Sequence, residues 1–274
     1  MTMVNGAWSP GFPIRPGMMI VKPHPVRKRP QQGFTLVELL LVLLLSAFLI
    51  TGMVQIVSAA SSSFRLQDNQ AEVMENGRHA IATISRRIRQ AGFSPKPWNS
   101  SYSREGLMAG TADGVTSRSD RLVFRSWSDT NCFDNQNSVT DESGEPAFYL
   151  RESLFDLNSN YDLAHTCRYG PDESGLVTQI NHQGFVRNAD SFQALFGEDT
   201  VGDGLVDRWV KAGEWTAADR VLAIRVGLLL HGSDAVVEAT RHTYGVLDQP
   251  YTPRADGRIR HLFVFTSTIR GNGG

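Results

Sequence analysis

Residues 34–60 read FTLVELLLVLLLSAFLITGMVQIVSAA, with Glu38 as their one ionisable side chain and no other until Arg65. A helix of about 20 apolar residues crosses a hydrocarbon core, so the run predicts a membrane helix. Beyond it the pattern changes without a break. Val73, Gly77, Ala80, Ile81, Ile84, Ile88 and Ala91 recur at three- and four-residue steps, while Arg78, Arg86, Arg87, Arg89 and Gln90 fill the other positions. One helix is therefore expected from Phe34 to about Ala91, on the order of 85–90 Å long. It ends at Gly92 as C-cap, ahead of Pro95 and Pro97. Its second half carries a narrow apolar stripe that needs a partner surface.

Residues 94–119 turn to Ser, Gly and Asn without periodicity and read as a loop. Strand-like runs follow at 121–127, 147–151, 176–180, 221–230, 236–244 and 259–269, with a short helix expected around 190–196. The class is α+β: one long helix laid across an antiparallel sheet.

A carboxylate inside an apolar span costs about 2.5–3.5 kcal/mol on insertion scales, so Glu38 is read as functional. Arg27, Lys28 and Arg29 precede the span, Lys22 and Arg15 lie further back, and no acid occurs before Gly33. The positive-inside rule keeps that end in the cytoplasm and exports the rest. Those five basic residues carry the leader's whole charge, so without it the formal charge goes from -1 to -6. An acidic head argues against nonspecific nucleic-acid binding. Cys132 and Cys167 are the two cysteines, and an even pair in an oxidising compartment is most simply a disulfide. A zinc site from Cys132, His165, Cys167 and His182 matches no ligand spacing.

A basic leader, Gly33, aromatic Phe34 and Glu38 five residues past the glycine together resemble the type IV prepilin signal, through GFTLVELL. The resemblance implies cleavage between Gly33 and Phe34 by a prepilin peptidase and methylation of Phe34. Residues 64–93 are similar to the corresponding region of PilW-type minor pilins, through Arg65-Leu66-Gln67, Glu75-Asn76-Gly77-Arg78 and Ala91-Gly92-Phe93. Residues 202–210 and 221–230 and the ending FVFTSTIRGN add to it; residues 94–191 do not. The implied fold is type IV pilin-like, with a leader at 1–33, a transmembrane half-helix at 34–60, an amphipathic periplasmic half at 61–92 and a β-rich head at 93–274. Met1, Met18 and Met19 are alternative starts.

The implied role is structural, without catalysis or cofactor: a minor pilin that helps initiate, build or cap a type IV pilus serving twitching motility or adhesion. Its expected partners are other minor pilins, the major pilin, the bacterial inner membrane and a tip adhesin. A pseudopilin of type II secretion or DNA uptake would share the N-terminal segment. In that family Glu38 would neutralise a neighbour's methylated amine. The DTVGDGLVD loop, with Asp199, Asp203 and Asp207, partly imitates a calcium loop, but Val201 takes the third position and no Glu the twelfth. A plain Asp/Gly turn is the simpler expectation. No nucleophile elbow or glycine-rich phosphate loop occurs, and Arg86, Arg87 and Arg89, which could bind DNA or acidic lipid, read more simply as a solvated face.

Overall fold

The computed structural model describes residues 33–99, 102, 109–116 and 118–269. Leader residues 1–32, with the alternative starts, and Arg270, Gly271 and Asn272 lie outside the described residues. Two units divide the chain, the first ending at Val54 and the second running from Gln55 to Gly274.

Helix α1 spans Leu36–Gln90. Within the first unit its side chains are exposed almost throughout, with Phe34, Leu36, Leu44 and Phe48 each more than 70% accessible. Burial begins at Asn69 and follows Val73, Gly77, Ala80, Ile84 and Ile88. That is the stripe read from the sequence, and it packs into the head's core beside Phe263, Phe265 and Ile269. Gly77 is required by this packing, because a Cβ there would overlap the Phe263 ring. Gly92 follows the helix in the left-handed region (φ 71°), and its N–H donates to the Arg125 carbonyl. The Trp127 N–H in turn donates to the Phe93 carbonyl, so the helix end is tied to a strand.

The head holds β1 (Ala112–Thr116), β2 (Ser119–Ser128), β3 (Tyr149–Leu157), β4 (Leu163–Gly170), β5 (Val177–Val186), β6 (Ala189–Glu198), β7 (Arg208–Val210), β8 (Val221–Ala235), β9 (Tyr244–Val246), β10 (Gln249–Tyr251) and β11 (Arg258–Thr268). The main order is β11-β8-β6-β2-β3-β4-β5, with β1 on β2 and β7 on β6, while β9 and β10 form a separate hairpin. Every pairing is antiparallel except β2 with β6, which touch in parallel at Ser119 and Phe192. The meander through β3, β4 and β5 reverses the chain at each step. It therefore returns as β6 in the direction of β2, and the expectation of an antiparallel sheet needs that one correction. Phe124, Phe155, Phe192, Phe196, Leu228 and Leu230 fill the core under the helix.

Three local expectations are overturned, the first being the loop expected over residues 94–119, within which 112–116 form β1 paired with β2. Residues 190–196 are strand β6, not a short helix: DSFQALF favours a helix locally, but the segment lies between β8 and β2 and is buried nearly throughout. Tertiary pairing outweighs a propensity of a few tenths of a kcal/mol per residue. Residues 236–244 are irregular until β9 begins at Tyr244, because β8 already extends to Ala235 and pairs there with Arg258 of β11.

Cys132 and Cys167 are joined in a disulfide, with Cα atoms 5.9 Å apart. It ties the loop after β2 to β4, inside a small second cluster with Tyr169, Tyr149 and Ile180.

Candidate functional site

Gly33, Phe34 and Thr35 lead into α1, and nothing lies within 4 Å of where a Gly33 side chain would start. Phe34, at the junction, is 82% exposed, and no described residue packs on Gly33. The Glu38 N–H donates to Thr35 Oγ1 at 3.2 Å, and the Leu39 N–H to the Thr35 carbonyl at 3.1 Å. Thr35 thus caps the helix, and Thr35-Leu36-Val37-Glu38 has the T-x-x-E spacing of a capping box. A carboxylate in the first turn also faces the positive end of the helix dipole. Glu38 therefore has a local use as well as the intermolecular one expected of it, and the T-x-x-E spacing was the signal for it in the sequence. It is exposed, one acidic group among Leu36, Leu39, Leu40 and Leu41. This is the one described helix long and apolar enough to cross a membrane.

The Asp loop between β6 and β7 is held by its own backbone. Asp199 accepts N–H bonds from Gly202 and Gly204, the second at 2.8 Å, while Asp207 accepts from the N–H and hydroxyl of Thr200, both at 2.7 Å. These bonds hold both carboxyls below the usual carboxylate range. Asp203 accepts from Leu205 N–H at 2.9 Å. Each carboxylate is turned to a different backbone segment, and among the described residues no group of three His, Cys, Asp or Glu is arranged to hold a metal.

The arginine run on α1 departs from its expected solvated face. Arg86 is exposed, but Arg87 is buried, and both reach the carboxylate of Asp134 at 3.4 Å. Arg151 of β3, also buried, stands 3.6 Å from the same carboxylate. Burial lowers the Arg87 pKa and takes that of Arg151 down to about 10, with the neighbouring arginines adding to both effects. The three charges come from residues 86, 87 and 151, and no local spacing in the sequence brings them together.

A further polar joint fixes the helix. Asn69 Oδ1 accepts from the Asp234 N–H at 2.9 Å and its amide donates to the Arg65 carbonyl at 3.0 Å, while Ser233 Oγ donates to Glu72 at 2.7 Å. A buried Asn one turn before the apolar stripe was its only trace in the sequence.

Known proteins agree with the two ends of this arrangement. The family model described as prokaryotic N-terminal methylation motif matches residues 28–54, and that described as type IV pilus-assembly protein W, PilW, matches residues 164–271. No curated protein matches. A solved type IV-like pilin from Thermus thermophilus is 13% identical, with a TM-score of 0.46 over 73% of this chain and 99% of its own. The methylation motif lies on the exposed junction and apolar helix, and the PilW match runs from β4 through β11; the chain is similar to type IV prepilins over its N-terminal segment and to PilW over that part of its head.

Proposed function

We propose that the protein is a minor pilin that helps initiate and build or cap type IV pili. The observation that carries this reading is the PilW match over residues 164–271, in the head, where a secretion pseudopilin would differ. In this reading the leader, residues 1–33, stays cytoplasmic and is removed between Gly33 and Phe34, and the new amine of Phe34 is methylated. Residues 34–60 hold the precursor in the inner membrane. The amphipathic half-helix at 61–92 and the head at 93–274 face the periplasm until the subunit enters a pilus at its tip.

Assembly follows from the exposed first half of α1. Its leucines are exposed, available to pack on lipid first and on other pilins afterwards. Glu38 then pairs with the N-terminal amine of a neighbouring subunit. Opposite charges attract strongly where water is excluded, and an unpaired one is costly, so the pair sets axial register while the leucines supply area. The thread GFTLVELL serves both steps, cleavage at its first two residues and register at its sixth.

The test is crosslinking between this protein and neighbouring pilins in the membrane, together with a count of sheared surface pili. Glu38→Ala should insert normally yet lose crosslinks and most piliation, with Glu38→Asp intermediate. Wild-type crosslinking and piliation in Glu38→Ala would reject the pairing. Deleting the chain should abolish surface pili with secretion intact; the reverse outcome would assign it to a secretion machine.

A further inference from the structure

The arginine cluster at the end of α1 is short of negative charge. Arg86, Arg87 and Arg151 share the single carboxylate of Asp134, which is 48% exposed and no nearer than 3.4 Å to any of them. The side chains of Arg87 and Arg151 are only 5% and 3% exposed. Neutral groups supply the rest. Gln90 Oε1 accepts from Arg151 at 2.9 Å and from Arg87 at 3.4 Å, and Thr130 Oγ1 lies 3.4 Å from Arg151. The Arg87 Nε and His165 Nε2 atoms are buried with no hydrogen-bond partner among the described residues. Burial and the three arginines keep the His165 pKa down at about 4, so this histidine adds no charge of its own. Two buried guanidiniums sharing one half-exposed carboxylate are expensive to keep unless another anion completes them.

An open cavity of about 460 Å³ lies against Arg151, within the range of small-ligand sites. Arg89 stands at its wall, exposed and without an ion pair among the described residues. Exposed Phe93 and the largely buried Trp127 give it aromatic surface, and beside the Asp129 carboxylate stand the Ser128 and Thr130 hydroxyls, which bond each other at 3.0 Å. Arg89 and Arg151 against Asp129 leave a single net positive charge in the lining, which suits a monoanion. Asp129 is an acceptor for hydroxyls and repels a dianion such as phosphate. Aromatic faces suit the C–H side of a sugar ring, and the hydroxyls suit its rim.

We propose that this cavity binds a carboxylated sugar, its carboxylate on Arg151 and Arg89 and its ring between Phe93 and Trp127. The sugar is a free uronate or the acidic residue of a surface glycan. This inference is independent of the assembly role of the N-terminal helix.

Calorimetric titration of the detergent-solubilised full chain tests it, with glucuronate and a galacturonate oligomer as probes. Saturable binding of either supports the site, and the tighter of the two identifies the source. Glucose, which has the ring without the carboxylate, and acetate, which has the carboxylate without the ring, should each bind at least about tenfold more weakly, a difference of about 1.4 kcal/mol. Arg89→Gln, which disturbs no ion pair among the described residues, should weaken uronate binding by at least about tenfold with an unchanged unfolding curve. Arg151→Lys should do the same if it folds. Absence of saturable binding by both probes, equal binding of glucose or acetate, or full binding by a folded Arg89→Gln would overturn the proposal.

Discussion

Replacing Gly77 by Ala sets two known effects against each other at the joint between helix and head. Alanine is better than glycine in a helix by about 1 kcal/mol. Here the added methyl would occupy the space of the Phe263 ring, which rises from β11 to meet the helix backbone. Inserting a methylene into a packed site costs about 1–3 kcal/mol, and Phe263 is confined by its place against the core. The cost exceeds the gain, so Gly77→Ala should destabilise the head by about 1 kcal/mol. The sign should reverse where the ring is gone. In a Phe263→Ala background the same change should stabilise by about 1 kcal/mol, the bare helix propensity. Coupling between the two sites should therefore lie in the range of about 1–3 kcal/mol expected of touching residues. Urea unfolding of the four detergent-solubilised variants, followed by tryptophan emission, gives the cycle. A stabilising Gly77→Ala in the parent, or the same effect in both backgrounds, would refute close packing as the reason for this glycine.

Two further outcomes concern the head. The Cys132–Cys167 bond closes a separation of 35 residues, so Cys132→Ser with Cys167→Ser should cost about 4 kcal/mol in the chain-entropy model; thiol labelling of the exported parent without reductant should find no free thiol. Asp120, buried on β2, accepts N–H bonds from Gly114 and Ala194 at 2.9 and 2.8 Å. Burial raises its pKa to about 6, with Asp113 and Asp248 contributing and the two backbone bonds opposing. A raised carboxyl pKa means its stabilising contribution is fullest below pH 4 and is lost as pH rises through about 6. The penalty for Asp120→Asn should then shrink by about 3 kcal/mol or less between pH 4 and pH 7. A penalty that is constant or grows with pH would show the carboxyl to be charged throughout.

Where the sequence was readable, the physics was local. The α1 stripe from Val73 to Ile88 is a 3.6-residue repeat whose burial is decided by helix geometry alone, and Gly92 ends it through its positive φ. Strands β2, β8 and β11 were legible because their apolar or alternating runs are long. Strand β4, with Ala-His-Thr in its first half, and β6, with helix-forming Gln-Ala-Leu, were not, since each is a strand only through the neighbours that pair with it. The parallel contact at Ser119 could not be read locally either, because it depends on the number of reversals between β2 and β6. The N-terminal junction was legible as a motif, while the capping of α1 by Thr35 was overlooked beside the unusual charge of Glu38. The arginine cluster shows the limit most clearly: Arg87 looked like part of a polar face, and its burial depends on Asp134 and Arg151, which come from the head.

The most direct measurement of the central claim is mass spectrometry of the N-terminus of this protein recovered from sheared surface pili. Gly33 and Phe34 form an exposed junction inside the methylation motif, so the account predicts a chain beginning at Phe34 and carrying one methyl group on its amine. It also predicts that Gly33→Glu keeps the leader and is missing from the pili. A chain in assembled pili that still carries leader residues, or a Gly33→Glu protein processed and assembled as the parent is, would contradict it.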